Sequence, residues 1–222
     1  ANQTIFGLDG LPSYRMEKAD FLLSFGADFL ETWLSPVEYA RKFKAMHAPG
    51  DGKKGLFLHV SAYQSLTGAN ADIWLSCNPG SEGIIALGLI RELIRAGKGR
   101  GLTENRLESL RGISDSYTRE RVAQLSGLEP GLYEKLLGQI IRSNRPLVLG
   151  PGSGSHGPCS FQAHMAVNAL NLVLDPELTL FDFRQLQYLL TPSLRGAWQD
   201  AGNTSFNFDE MIAPLRQPDG TW

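Results

Sequence analysis

"LFLHVSAYQSLTGANADIWLSCNPGSEGIIALGLIREL", Leu56–Leu93, holds two apolar runs and a helical pattern in close succession. Two apolar runs, LFLHV (Leu56–Val60) and DIWLSC (Asp72–Cys77), flank a polar connection from Ser61 to Ala71. The second run opens into a long helical pattern, with Ile84, Leu87, Ile90/Arg91 and Ile94 at helical spacing. Neither run alternates apolar with polar residues, and near-continuous apolar strands belong in sheets covered on both faces. The connection is short enough that a hairpin is also conceivable, so the pairing direction rests on the surrounding elements.

Outward from there the same alternation repeats. DFLLSFG (Asp20–Gly26) reads as a strand. PVEYARKFKAMH (Pro36–His47) reads as a helix opened by proline, with Val37, Ala40 and Phe43/Lys44 on one apolar face. APGDGKKG is a turn, residues 104–143 read as helical throughout, and Leu132, Leu136, Leu137, Ile140 and Ile141 form a stripe there. RPLVLG is a further strand, and PCSFQAHMAVNALNLVL a helix after a glycine-rich loop. The pattern predicts an α/β fold: a mainly parallel, Rossmann-like sheet of Phe21–Phe25, Leu56–Val60, Ile73–Ser76 and Leu147–Leu149, with helices on both faces. Residues 1–174 are expected to form this domain. Residues 175–222 are expected to pack on it or belong to a neighbouring domain.

The chain has 222 residues, 42% hydrophobic and 20% charged, which suits one sizeable core. A net charge of −2 gives no support to a nucleic-acid surface, which would normally show a basic excess. No apolar run is long enough to span a membrane, and no signal peptide opens the chain. The start at Ala1 and the stop after RQPDGTW suggest a piece cut from a longer protein. Cys77 and Cys159 form no CxxC pattern and are expected as buried thiols, which argues against a zinc or iron–sulfur site in this chain.

Each strand runs into small or polar residues: Gly26-Ala27-Asp28, Ser61-Ala62-Tyr63, Asn78-Pro79-Gly80-Ser81, and Gly150 to Gly157. In a parallel sheet such ends line one crevice, where ligands sit. The loop GPGSGSHG has the small residues that let backbone N–H groups face a phosphate, and it also fits a tight turn. It lacks the lysine of a P-loop and does not match GxGxxG.

Three segments carry a resemblance: ADFLLSFGADFLET, LFLHVSAYQSLTGANADIWLSCNPGSEGIIALGLIREL and PLVLGPGSGSHGPCSFQAHMAVNALNLVL. Their order and spacing resemble the molybdopterin oxidoreductase family of dimethyl sulfoxide reductase type over most of residues 19–175. There a strand ends in Gly-x-Asn-Pro, a second runs into Asp-Pro-Arg, a third precedes Pro-Gly-Thr-Asp, and a fourth precedes a glycine-rich turn with a histidine. The chain is most similar to the molybdopterin-like subunits of quinone-linked membrane complexes, alternative complex three and the quinone reductase complex, a branch without the metal.

The resemblance implies a site for the guanosine end of a molybdopterin guanine dinucleotide. Gly26 and Asp28 stand at its diphosphate, and Ser61 and Tyr63 stand where the family has the Asp and Arg around ribose and guanine. Thr67, Ala71 and Asp72 keep the family pattern. Gly80, Ser81 and Glu82 stand in the Gly-Thr-Asp positions, and Gly152, Ser153, Ser155 and His156 lie in the loop towards the pterin. Asp28 replaces an Asn and sets a carboxylate beside a diphosphate. Ser61 removes a charged acceptor, and Ala62-Tyr63 removes a cation. Charge-assisted hydrogen bonds are worth roughly 1.5–3 kcal/mol each, so these departures lean towards a degenerate cleft.

Plainer readings stand beside these. Gly80-Ser81-Glu82 also reads as a helix start, Asp28 as a cap or turn residue, and His156 as a solvated loop residue. His164 reads as a packed histidine and His59 as a half-buried strand end. Phe25, Phe29, Trp33 and Trp74 read as core. No residue is assigned a catalytic or metal-binding role. The expectation is a fragment of a molybdopterin oxidoreductase-like subunit of a bacterial respiratory, electron-transfer complex, carrying a degenerate dinucleotide site. The alternative is a structural or electron-transfer subunit fragment without cofactor. The implied partners are other domains of the parent chain and iron–sulfur and quinone-interacting membrane subunits, at the periplasmic face of the inner membrane or else in the cytoplasm.

Overall fold

A computed structural model describes residues 1–7, 10–48, 54–152 and 159–183 of the chain. In chain order the elements are α1 (Asn2–Phe6), β1 (Ser13–Tyr14), a 3-10 turn at Met16–Lys18, β2 (Phe21–Phe25), α2 (Pro36–His47), β3 (Leu56–Ser61), α3 (Leu66–Ala69), β4 (Ile73–Ser76), α4 (Glu82–Arg95), α5 (Glu104–Ser114), α6 (Arg119–Ser126), α7 (Pro130–Arg142), β5 (Pro146–Leu149), α8 (Ser160–Leu174) and β6 (Phe181–Asp182). Four strands form one sheet in the order β4-β3-β2-β5. Every pairing in it is parallel: Phe21 lies opposite Leu56 and Pro146, and Leu58 lies opposite Ile73. The β3–β4 connection is therefore a crossover containing α3, not a hairpin. β1 and β6 form a separate antiparallel pair.

Successive side chains of a strand point to opposite faces, and here both faces are buried. Phe21, Leu23 and Phe25 of β2 join Leu58, Val60 and Val148 in a core roofed by α4, α7 and α8. Leu22 joins Phe57, Leu147 and Leu149 in a second core on the other face, under α2 and the β1–β6 pair. This is why the strands read as apolar runs.

Some sequence readings shift by a turn. On α2 the buried residues are Tyr39, Phe43 and Met46, while Val37 is 86% exposed. The aromatic side chains choose the face, because the Phe43 ring packs tilted against Phe29 and edge-on against Phe57. Phe25 and Phe29 do not share a cluster but lie in opposite cores. Residues 104–143 are three helices rather than one. Thr118 accepts from the Arg121 N–H to start α6, Gly127 ends it at φ 67°, and Pro130 starts α7. Cys159 is exposed, and only Cys77 is buried.

Helix α4 is the centre of the helical layer, and small residues let its neighbours approach. A Cβ at Gly83 would meet Ala163 Cα of α8 at 3.1 Å. A Cβ at Gly88 would overlap Val122 Cγ2 and sit 2.9 Å from the Tyr133 hydroxyl. Across this seam, buried Glu92 receives two bonds from Arg119, at 2.9 and 2.6 Å, and one from Arg91 at 2.6 Å. Gly88→Ala is expected to force α6 and α7 off α4 and to cost about 1–3 kcal/mol in urea unfolding, with an unchanged denaturant slope.

Candidate functional site

The strand order makes β2 the point where the chain's direction across the sheet reverses, with β3 and β4 on one side and β5 on the other. Ligands of such sheets bind beyond the strand ends at this switch point. At that place Phe25 and Gly26 join three strand ends. The Gly26 N–H donates to the Val60 carbonyl at 2.9 Å, and the Gly152 N–H donates to the Phe25 carbonyl at 3.0 Å. Gly26 takes φ 63° and Gly150 φ 109°, the left-handed half that favours glycine. A Cβ on Gly150 would overlap the Phe25 carbonyl, and one on Gly152 would overlap that of Gly26. The first glycines of the loop thus allow backbone to lie on backbone. Ser153, Ser155 and His156 lie outside the described residues.

Asp28 follows at once and is 4% exposed. Its carboxylate accepts from the Tyr63 hydroxyl at 2.9 Å and the Ser65 hydroxyl at 2.5 Å. Its backbone carbonyl accepts from the N–H groups of Glu31, Thr32 and Trp33, so the turn reading of this residue and its cross-loop bonding hold together. Nearby, Thr67 Oγ1 accepts from the Leu30 N–H and the Thr67 N–H donates to Glu31. The loops after β2 and β3 are therefore joined through side chains. Ser61 turns inward: its hydroxyl donates to the Tyr63 carbonyl at 2.6 Å and accepts from the Trp74 indole at 3.0 Å.

Gly80, Ser81 and Glu82 lie at the end of β4, two strands from β2. Gly80 is exposed with φ 79° and open space before it, whereas Ser81 and Glu82 are buried. Ser81 donates to the Asn78 carbonyl at 2.6 Å. Burial pushes the neighbouring Cys77 thiol up to about 11, against the opposing Ser81 hydrogen bond, so it stays protonated. Asp72 belongs to the opposite edge. It accepts from the Phe57 N–H, Lys54 and His47 and ties the start of β3 to the end of α2.

His59 is fully buried, not half buried, and neither ring nitrogen has a hydrogen-bond partner among the described residues. Its Nε2 lies 3.9 Å from Asp28 Oδ1. Ser65, Asp28 and His59 are not a nucleophilic triad: the hydroxyl bonds the carboxylate directly, and the imidazole makes no hydrogen bond to the hydroxyl. Burial drives the His59 pKa down from 6.5 to about 4, against the raising effect of Asp28.

A diphosphate-bearing dinucleotide does not fit this donor set. Residues 24–35, 61–71, 76–83 and 149–152 contain no Lys or Arg, while Asp28, Glu31 and Glu82 are acidic. The hydroxyls of Ser61, Tyr63, Ser65 and Ser81 are already engaged within the chain. No group of three or more His, Cys, Asp or Glu residues among the described ones forms a metal cluster. A groove of about 270 Å³ lies at the other edge, where β5 begins, lined by Arg145, Pro146, Asp175 and Glu177, and is remote from these loops. Ser65 is the site residue missed in the sequence; a serine three residues before Gly68, opening a short helix, was its signal.

The buried imidazole sets a pH dependence. His59 is neutral when folded and titrates near 6.5 when unfolded, so its contribution is fully present above that pH. It is lost as pH falls towards 4, with a slope of up to about 1.4 kcal/mol per pH unit. His59→Leu is expected to flatten this part of the acid profile in denaturant titrations, isolating it from the other histidines.

No family model matches the chain. It is 31% identical over 170 residues to the menaquinone reductase, molybdopterin-binding-like subunit, of Nitratidesulfovibrio vulgaris. The match takes in 77% of this chain but only 24% of that protein, so the chain spans about a quarter of its relative's length. Acetylene hydratase from Pelobacter acetylenicus superimposes with a TM-score of 0.59 at 18% identity, over 74% of this chain and 22% of the enzyme. That likeness is one of fold. In sequence and in fold the chain thus resembles the molybdopterin oxidoreductase family, and a segment of a menaquinone reductase's molybdopterin-binding-like subunit in particular.

Proposed function

We propose that this chain is a segment of a molybdopterin oxidoreductase-like subunit in a quinone-linked redox complex, and that its strand-end edge serves assembly rather than catalysis. The observation that carries the reading is the internal use of that edge. Asp28, Ser61, Tyr63, Ser65 and Thr67 bond to one another's loops, and no Lys or Arg stands among them. Enzymes that hold a diphosphate supply donors and positive charge for it. Here the groups at those positions take up one another's hydrogen bonds.

Exposed apolar side chains support the assembly reading. Leu34, Val37, Tyr63, Leu66 and Phe161 are exposed, and each lies in a loop or first helical turn after a strand. The opposite edge instead presents Lys54, Asp72 and Glu177. An apolar rim free of cations suits burial against the remainder of such a subunit, of which this segment matches 24%. A second reading, retention of the guanine dinucleotide end of the cofactor, draws on Gly80, which is exposed at the end of β4 with open space before it.

Elemental and pterin analysis of the native complex separates the two. The expected result is quinone-linked electron transfer with far less than one molybdenum and one pterin per subunit. A stoichiometric content of both overturns the assembly reading. In the same complex, Val37→Glu with Leu66→Glu is expected to lower the yield of assembled complex several-fold without changing the subunit's circular dichroism.

A further inference from the structure

The buried Asp28 carboxylate has the surroundings of a bound ligand rather than of an ion-pair partner. Two hydroxyls, of Tyr63 and Ser65, donate to its two different oxygens. The His59 ring, itself fully buried and without a hydrogen-bond partner among the described residues, faces the same carboxylate from below at 3.9 Å. No Lys or Arg stands in the loops around it. Burying a charge without a cation is costly unless hydrogen bonds hold it. The donors come from β3 and the loop after it, while the carboxylate comes from the loop after β2, so the acceptor and its pocket are contributed by different parts of the chain.

We infer that Tyr63, Ser65 and His59 form a small-anion pocket whose occupant is the chain's own Asp28 carboxylate. The side chain fills the pocket in place of an external carboxylate or phosphate group and repels any second anion at the switch point. Asp28 is thereby the residue that closes this edge to phosphate-bearing ligands. This rests on the reading of the edge as one that holds no dinucleotide, but it concerns binding to the chain alone and fails separately from the assembly reading.

Removing the occupant tests this. In Asp28→Ala the pocket keeps its donors and loses its anion, so formate, which carries the same carboxylate head, is expected to bind it saturably. At formate about ten times its dissociation constant the melting midpoint of the variant rises by roughly 3–6 °C, with no comparable rise for wild type. Formamide, neutral and of the same shape, gives no such rise. Adding Tyr63→Phe to Asp28→Ala weakens the formate response at least tenfold. Asp28→Asn removes the charge, keeps an acceptor oxygen for only one of the two hydroxyls, and is the second variant: inorganic phosphate is expected to bind it at least tenfold more tightly than it binds wild type. In wild type, millimolar phosphate leaves the His59 ring resonances unmoved. A saturable phosphate shift of those resonances in wild type overturns the inference. So does a folded Asp28→Ala that ignores formate, or an Asp28→Asn that binds phosphate no better than wild type.

Discussion

Two backbone hydrogen bonds at the end of β2 set the geometry of everything beyond the sheet. The Gly26 N–H reaches the Val60 carbonyl and the Gly152 N–H reaches the Phe25 carbonyl, so the ends of β3, β2 and β5 are held at one level. Both contacts require backbone to approach backbone. Side chains at Gly150 or Gly152 would overlap the carbonyls of Phe25 and Gly26. The glycines that look like a ligand loop are thus needed first for packing. The direction that Gly26 takes then carries Asp28 under the loop after β3, where Tyr63 and Ser65 meet it.

The chain distributes its charges unevenly, and the distribution is informative. Where α4, α6 and α7 meet, buried Glu92 is paired with Arg91 and Arg119, and Arg119 also reaches Glu134. Removing one partner from a buried pair leaves an uncompensated charge, so that seam is held by strong constraints. At the strand-end edge the buried Asp28 has hydroxyls instead of guanidinium groups. A carboxylate held by hydroxyls alone is satisfied in hydrogen bonds and has no cation beside it. An edge of that kind discourages anionic ligands and tolerates apolar or positively charged protein surfaces.

Much of the fold was legible because its causes are local. Phe21–Phe25, Leu56–Val60, Ile73–Ser76 and Leu147–Leu149 read as strands since burial on both faces demands continuous apolar residues, and all four lie in the sheet as expected. Pro36 and Pro130 marked true helix starts. The breaks within residues 104–143 were also written locally, in Thr118 as an N-cap and Gly127 as a left-handed C-cap. The face of α2 was not local: Val37 and Tyr39 are both apolar enough to bury, and the aromatic cluster of Phe29 and Phe57 decided for Tyr39.

The class of fold, the small and polar residues at every strand end and the lack of cations in those loops can all be read along the chain, because composition and periodicity follow from short-range rules. What those polar residues do depends on contacts between distant segments. Asp28 and Ser65 are separated by 37 positions, and their bond exists because parallel pairing of β2 and β3 brings the two strand ends side by side. His59 became fully buried for the same reason: the β3–β4 crossover lays α3 over it, with Gly68 so close that a Cβ there would sit 3.0 Å from the ring. Hydrogen bonds between distant loops depend on register and layer packing, and neither is encoded in any window of neighbouring residues.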